Sequence, residues 1–252
     1  RMPVFRLSND LTFPPAHLAI REGLLAVGGD LSVARLVHAY RQGIFPWYAE
    51  DDPILWWSPD PRLVLYPPEL HISRSLGRLL KKNRFRFTLD QAFEDVVRGC
   101  AAVRGANHPG TWIVPEMITA YARLHAVGLA HSVEAWCEGQ LAGGLYGVSL
   151  GRTFFGESMF TRITNASKAA LVVLVENLRS QGFDLIDQHD DRDAGRLTPA
   201  QPTEPGQGGG GARQVVPALD TEQIEANELV AELNDQDRRR LAPQWDSVAA
   251  AA

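Results

Sequence analysis

The sequence predicts an α+β protein. A small N-terminal domain over residues 1–62 precedes a mixed sheet flanked by helices over 63–189, and a divergent tail fills 190–252. Three observations predict this. Residues 1–62 are short apolar runs broken by proline and glycine. Between 84 and 187, alternating and helical apolar spacings succeed one another in the order β-α-α-β-β-β-α-β. Beyond residue 189 the chain turns rich in Pro, Gly and Gln and poor in apolar residues, the composition of a flexible linker.

Each element has a local cause. In "GGDLSVARLVHAYRQG", Asp30 or Ser32 opens a helix, Leu36, Val37 and Tyr40 form its apolar face, and Gly43 closes it between loops. "RFRFTL" alternates as a half-buried strand does. Asp90 is the expected cap of a helix carrying Phe93, Val96, Val97 and Cys100. A second helix starts at Pro115, where a missing N–H costs nothing, and runs through Ile118, Tyr121 and Leu124 to Gly128. "HSVEAWC", "QLAGGLYGVSL" and "RTFFGESMF" follow as strands joined by "EGQ" and "LGR" hairpins. Asn165 is the expected cap of a helix striped by Leu171, Leu174, Val175 and Leu178 and ended by Gly182; "FDLID" is the last strand. The tail holds one further helix over "LDTEQIEANELVAELNDQDRRRLA". This element order is that of the acyl-CoA N-acyltransferase-like (GNAT-like) fold, an analogy that does not by itself assign chemistry.

The stretch "GIFPWYAEDDPILWWSPDPR" (43–62) holds Trp47, Trp56 and Trp57, half of the chain's six tryptophans, among four prolines. Proline removes a backbone donor, so neither a regular helix nor a central strand is expected here. Net charge is −5, but residues 190–252 carry 12 acids against 6 Lys and Arg, which leaves 18 acids and 19 bases in residues 1–189. Within that near-neutral part, "HISRSLGRLLKKNRFRF" has Arg74, Arg78, Lys81, Lys82, Arg84 and Arg86 and no acid. Such a stripe can bind phosphates within a Debye length of about 8–10 Å; a solvated helix face accounts for it equally. Cys100 and Cys137 are too few for a disulfide framework or a zinc cluster, and no metal site is expected. With no apolar run long enough to span a membrane and no secretory signal, a cytoplasmic protein is the expectation.

Phosphate-loop, H-E-x-x-H and G-x-S-x-G signatures are missing. On a GNAT-like scaffold the coenzyme A pyrophosphate loop should follow the strand at 152–160, yet that turn reads "TRITNASKAA" and has no glycine. Glu157 stands in an apolar strand, and alternation aligns it with Phe155 and Met159. A carboxylate on an apolar face needs a partner or a role; a solvent-facing position or a pair with Arg162 is the structural alternative. Asp187 ends the last strand, at the edge where α/β sheets present ligands, with Gln188 and His189 after it; a strand-end cap is the simpler reading. Trp112, in "GTWI", follows a glycine-bearing loop and suits partial exposure or a core role alike.

In order along residues 13–187, "GLLAVGGDLS", "GIFPW", "ILWWSPDPR", "HISRSL", "GTWI", "AYARLHAVGLAHSVEAW", "GGLYGV" and "GESMF" with "NASKAAL" closely resemble the bacterial leucyl/phenylalanyl-tRNA–protein transferases. The resemblance implies transfer of Leu, Phe or Met from aminoacyl-tRNA to the N-terminal Arg or Lys of a protein, marking it for degradation by the N-end pathway, without metal or coenzyme. It implies that Trp47 and Trp112 stack on the terminal adenosine, and that Leu145 and Phe154 line the amino-acid pocket. Leu145 stands where the family has Met, a near volume-conserving exchange. Arg74, Arg78, Lys81, Lys82 and Arg84 would then meet acceptor-stem phosphates. Glu157 and Asp187 match the family's two carboxylates. The family's Asp-x-Gln becomes Asp187, Gln188, His189 here, with His189 in the amide's place as candidate proton acceptor. The family's following His-Leu-x-Ser-Leu-Gly-Ala segment has at best a faint echo in "GGARQV". Two rivals stay open: a transferase with a different acceptor, and a tRNA-binding adaptor that has lost the chemistry. A monomer suffices for the reaction.

Overall fold

A computed structural model describes residues 4–107, 112–188 and 214–216. The expected linker and helix of the tail, and His189, lie outside the described residues. Two sheets organise the chain. The first has four strands in the order β1-β2-β4-β3: β1 (Phe5–Leu7), β2 (Leu24–Gly28), β3 (Phe45–Pro46) and β4 (Leu55–Trp57). Helix α1 (Val33–Arg41) stands between β2 and β3 in the chain. Its cap is Ser32, whose Oγ accepts the Arg35 N–H at 3.3 Å, while Asp30 Oδ1 accepts the Ser32 N–H at 2.8 Å; both residues of the expected opening take part.

The expectation of no central strand in 43–62 is corrected: β4 pairs with β2 on one side and β3 on the other. Pro53 and Pro59 flank β4 and leave its N–H groups intact, while Pro46 lies on edge strand β3, where a missing donor is harmless. The flanks of α1 are therefore short strands rather than loops alone.

The second sheet has seven strands. Besides β6 (Arg86–Leu89), β7 (Ala130–Cys137), β8 (Gln140–Leu150), β9 (Thr153–Thr161) and β10 (Leu185–Gln188), it includes two that periodicity did not reveal, β5 (Arg62–Leu65) and β11 (Gln214–Val216). The order is β11-β5-β10-β9-β8-β7-β6; β10 runs parallel to β9 and every other pair is antiparallel. It is the mixed sheet flanked by helices that the sequence predicts. Helices α3 (Phe93–Asn107) and α4 (Pro115–Ala126) cover one face and share an apolar cluster with α1 and the first sheet. Helix α5 (Ala166–Ser180) covers the other with Leu174, Val175 and Leu178, and α2 (Arg74–Lys81) adds the edge of Leu76, Leu79 and Leu80.

Two expected caps are supplied from elsewhere. Asp90 turns to β7, accepting the Ser132 N–H at 2.7 Å and pairing with His131, and the carboxylate of Glu134 meets the Gln91 and Ala92 N–H groups ahead of α3. Asn165 adopts the left-handed conformation (φ 72°) with no side-chain cap bond, and Thr161 Oγ1 accepts the Ser167 N–H of α5 instead.

Between β8 and β9 the register slips: Tyr146 faces Ser158 and Gly147 faces Gly156, which leaves Glu157 as the extra residue of a β-bulge. The bulge resets alternation. Glu157 keeps the side of Phe155, but Phe160, not Met159, returns to that cluster, and Met159 is 44% exposed. The shared side expected for Met159 is thus corrected. Gly147 is part of the device, since a Cβ there would lie 2.2 Å from the Phe155 carbonyl oxygen and 2.5 Å from the Phe154 ring. Gly147→Ala is expected to destabilise the fold by about 3 kcal/mol, read as a lower urea midpoint at unchanged m-value.

Candidate functional site

The site is assembled around the C-terminal end of α1 and the corner after it. Tyr40 lies on the buried face of α1, and its phenol donates to Glu157 Oε1 at 2.6 Å. Tyr121, from α4, donates to Glu157 Oε2 at 2.7 Å, and the two phenol oxygens are 2.6 Å apart. Glu157 is 2% exposed, so its carboxylate keeps a charge-stabilising donor on each oxygen in place of water. Burial, with the Glu157 charge next, holds the Tyr40 and Tyr121 hydroxyls well above the usual phenol range. They remain donors at any physiological pH.

Asp187 faces the same side. It lies opposite Phe155 in the β9–β10 register, and the Phe155 ring packs on Tyr40 with centroids 5.2 Å apart. Both its oxygens are engaged by Arg62 at the start of β5: Nε to Oδ1 at 3.2 Å and Nη2 to Oδ2 at 2.5 Å. The remaining arm, Nη1, donates to the Gly43 carbonyl at 2.6 Å, and the guanidinium carbon lies 5.4 Å from the Phe45 ring centroid. Gly43 follows α1 in the left-handed conformation (φ 68°), which turns its carbonyl region toward β5.

Four residues beyond Gly43 comes Trp47. Its N–H donates to Leu55 O at 2.9 Å, its carbonyl accepts Trp57 Nε1 at 2.6 Å, and the two indoles meet edge to face with centroids 5.7 Å apart. Trp47 is half-buried between buried Pro46 and Tyr48, so part of its ring surface stays open on a fixed backbone. Trp56 serves the core, fully enclosed with its Nε1 on the Gly28 carbonyl. Trp112 belongs to the same apolar cluster as Tyr40 and Tyr121 and is only 7% exposed; of the two candidate stacking rings, Trp47 is the open one.

Leu145 and Phe154 are buried together on the other face of the sheet, against Leu174, Val175, Leu178 and Ile186. The pair is thus gathered into one apolar cluster, but apart from the carboxylate face. Arg74, Arg78, Lys81, Lys82 and Arg84 are all exposed along or just after α2, with none of the described ion pairs among them. Among the described residues no cluster of His, Cys, Asp and Glu could hold a metal, and no helix is long and apolar enough to cross a membrane.

Sequence reasoning missed Tyr40, Tyr121 and Arg62 as members of the site. The two tyrosines carried a readable signal, since a phenol on the core face of a helix must find a hydrogen-bond partner. Arg62 carried none, because β5 is only four residues long.

A family profile described as leucyl/phenylalanyl-tRNA protein transferase matches residues 64–194, and one for that family's N-terminal domain matches 29–60. Curated proteins named leucyl/phenylalanyl-tRNA–protein transferase are similar over most of their length. That of Syntrophobacter fumaroxidans is 68% identical over 186 residues, 74% of this chain and 80% of its own. The one from Desulfatibacillum aliphaticivorans is 62% identical over the same shares. The one from Pseudomonas fluorescens is 60% identical over 71% of this chain and 80% of its own. Among solved structures, L-PGS from Bacillus licheniformis overlaps 66% of this chain and 54% of its own at a TM-score of 0.40 and 9% identity.

The raised phenols make a pH prediction. The folded state keeps the Tyr40 and Tyr121 protons where an unfolded phenol, near pKa 10, would lose them. Their contribution to stability is therefore complete below about pH 10 and declines as pH rises above it. Tyr121→Phe should flatten that alkaline decline by about one proton, measured by urea unfolding between about pH 9 and 11.

Proposed function

The chain belongs to the leucyl/phenylalanyl-tRNA protein transferase family of aminoacyltransferases, and from that premise we propose that it transfers Leu, Phe or Met from aminoacyl-tRNA to the N-terminal Arg or Lys of cytoplasmic proteins. The product is thereby marked for degradation by the N-end pathway.

The chemistry needs alignment more than activation, because an aminoacyl ester is already reactive toward amines. The acceptor's α-amine nitrogen attacks the ester carbonyl carbon. A C–N bond forms, the C–O bond to the ribose breaks, the nitrogen gives up a proton and the leaving ribose oxygen gains one. Trp47 stacks on the terminal adenine, with Trp112 as the second, more enclosed ring. Glu157 and Asp187 place fixed negative charge where the acceptor's cationic groups approach. His189, in the place of the family's Gln, accepts the amine's proton, since an unperturbed imidazole titrates near pH 6.5. Leu145 and Phe154 bound an apolar slot for an unbranched or γ-branched side chain. The exposed cations of α2 meet the acceptor stem through a contact that weakens with salt.

The observation that carries this reading is the α1 corner. Tyr40 bonds Glu157, Gly43 bonds the guanidinium that holds Asp187, and Trp47 follows within the same short segment. One segment thus ties the open indole to both carboxylates.

Purified protein incubated with labelled Phe-tRNA and peptides beginning with Arg, Lys or Ala tests the proposal. Label is expected on the Arg and Lys peptides alone. Label on the Ala peptide points to a different acceptor class, and Phe-tRNA binding without transfer identifies an adaptor. Stacking on one base is worth about 1–3 kcal/mol, so Trp47→Ala should raise KM for Phe-tRNA by roughly 5- to 150-fold. The KM for the acceptor peptide should not move.

A further inference from the structure

We propose that Arg62 is a positioning residue which locks the Trp47 corner to Asp187, so that the ring meeting the tRNA end and the carboxylate beside the reacting ester are set by one guanidinium. The inference rests on the aminoacyl-transfer reading above and adds a residue to it.

Three contacts carry the argument. Arg62 is 7% exposed, and its three donor positions are divided between two elements: Nε and Nη2 on Asp187 of β10, Nη1 on the Gly43 carbonyl. The Phe45 ring lies against the same guanidinium, between Gly43 and Trp47 in the chain. A planar fork of this kind fixes direction as well as distance, which a lysine ammonium on the same strand cannot do. Asp187 therefore keeps one orientation, with the lone pairs facing Arg62 occupied. The direct consequence is a division of labour between the carboxylates. Asp187 is held as a fixed counterion by a cation, whereas Glu157 receives a phenol hydrogen bond on each oxygen. Asp187 shapes the field around the ester, and the proton is taken elsewhere.

The second consequence is coupling. Loosening Arg62 at the Gly43 end frees the corner that leads to Trp47; loosening it at the Asp187 end leaves that corner in place. Arg62→Lys disturbs both ends while keeping the charge, and Asp187→Asn disturbs only one. In steady-state transfer from Phe-tRNA to an Arg-initial peptide, Arg62→Lys is expected to raise KM for Phe-tRNA about tenfold and lower kcat about tenfold, with the peptide KM within about twofold of wild type. Asp187→Asn is expected to lower kcat by a similar factor with the Phe-tRNA KM within about twofold. Thermal melts of both variants are run alongside, because a merely structural role reduces stability and active fraction without moving KM. An unchanged Phe-tRNA KM in Arg62→Lys overturns the proposal. So does an equal rise in Asp187→Asn, which needs no contact with Gly43. Absence of transfer by the wild-type protein overturns the reaction itself, a result distinct from wild-type transfer with unaltered Arg62→Lys constants.

Discussion

A carboxylate removed from water must be given donors or a counter-charge, and here two such groups lie on the same side of one sheet. Glu157 and Asp187 are both nearly enclosed. The penalty for leaving either unpartnered would be several kcal/mol. Each is met by side chains from outside its own strand: phenols of α1 and α4 for Glu157, the guanidinium of β5 for Asp187. Much of the remaining architecture can be understood as what brings those partners to the carboxylates. The four-stranded sheet holds α1 and the corner after it, the bulge aims Glu157, and β5 inserts beside β10 to deliver Arg62.

The two carboxylates are satisfied by different chemistry, and this sets what each can do. Phenols kept neutral by burial donate to both oxygens of Glu157. The Arg62 fork holds Asp187 by two parallel bonds and fixes its direction. Leu145 and Phe154 lie behind the sheet in the apolar cluster that α5 covers, on the face away from these charges.

Much of this was legible in the sequence where the determinants are local. The helices α1, α3, α4 and α5 announced themselves through apolar spacing, Ser32 and Pro115, and the β7–β8–β9 meander through alternation and its short turns. What escaped is nonlocal. The caps of α3 and α5 come from Glu134 and Thr161 rather than from Asp90 and Asn165, because tertiary neighbours displaced the nearer side chain. Strand β4 is central despite its prolines, because those prolines fall outside its three residues. The bulge at Glu157 leaves no trace in alternation, so the side of Met159 was misjudged. Glu157 and Asp187 could be singled out as carboxylates on apolar strands, but their partners stand 117, 36 and 125 residues away, beyond any spacing argument.

The central claim is that the α1 corner holds an open indole and two carboxylates in one fixed arrangement around the end of a charged tRNA. A crystal structure with phenylalanine joined to adenosine by a 3′-amide, a stable mimic of the ester, tests it most directly. The account predicts the adenine on the Trp47 ring, the amide carbonyl beside Glu157, and the Tyr40–Glu157–Tyr121 and Gly43–Arg62–Asp187 bonds all retained. An adenine seated away from Trp47, or bound with those bonds broken, would contradict it.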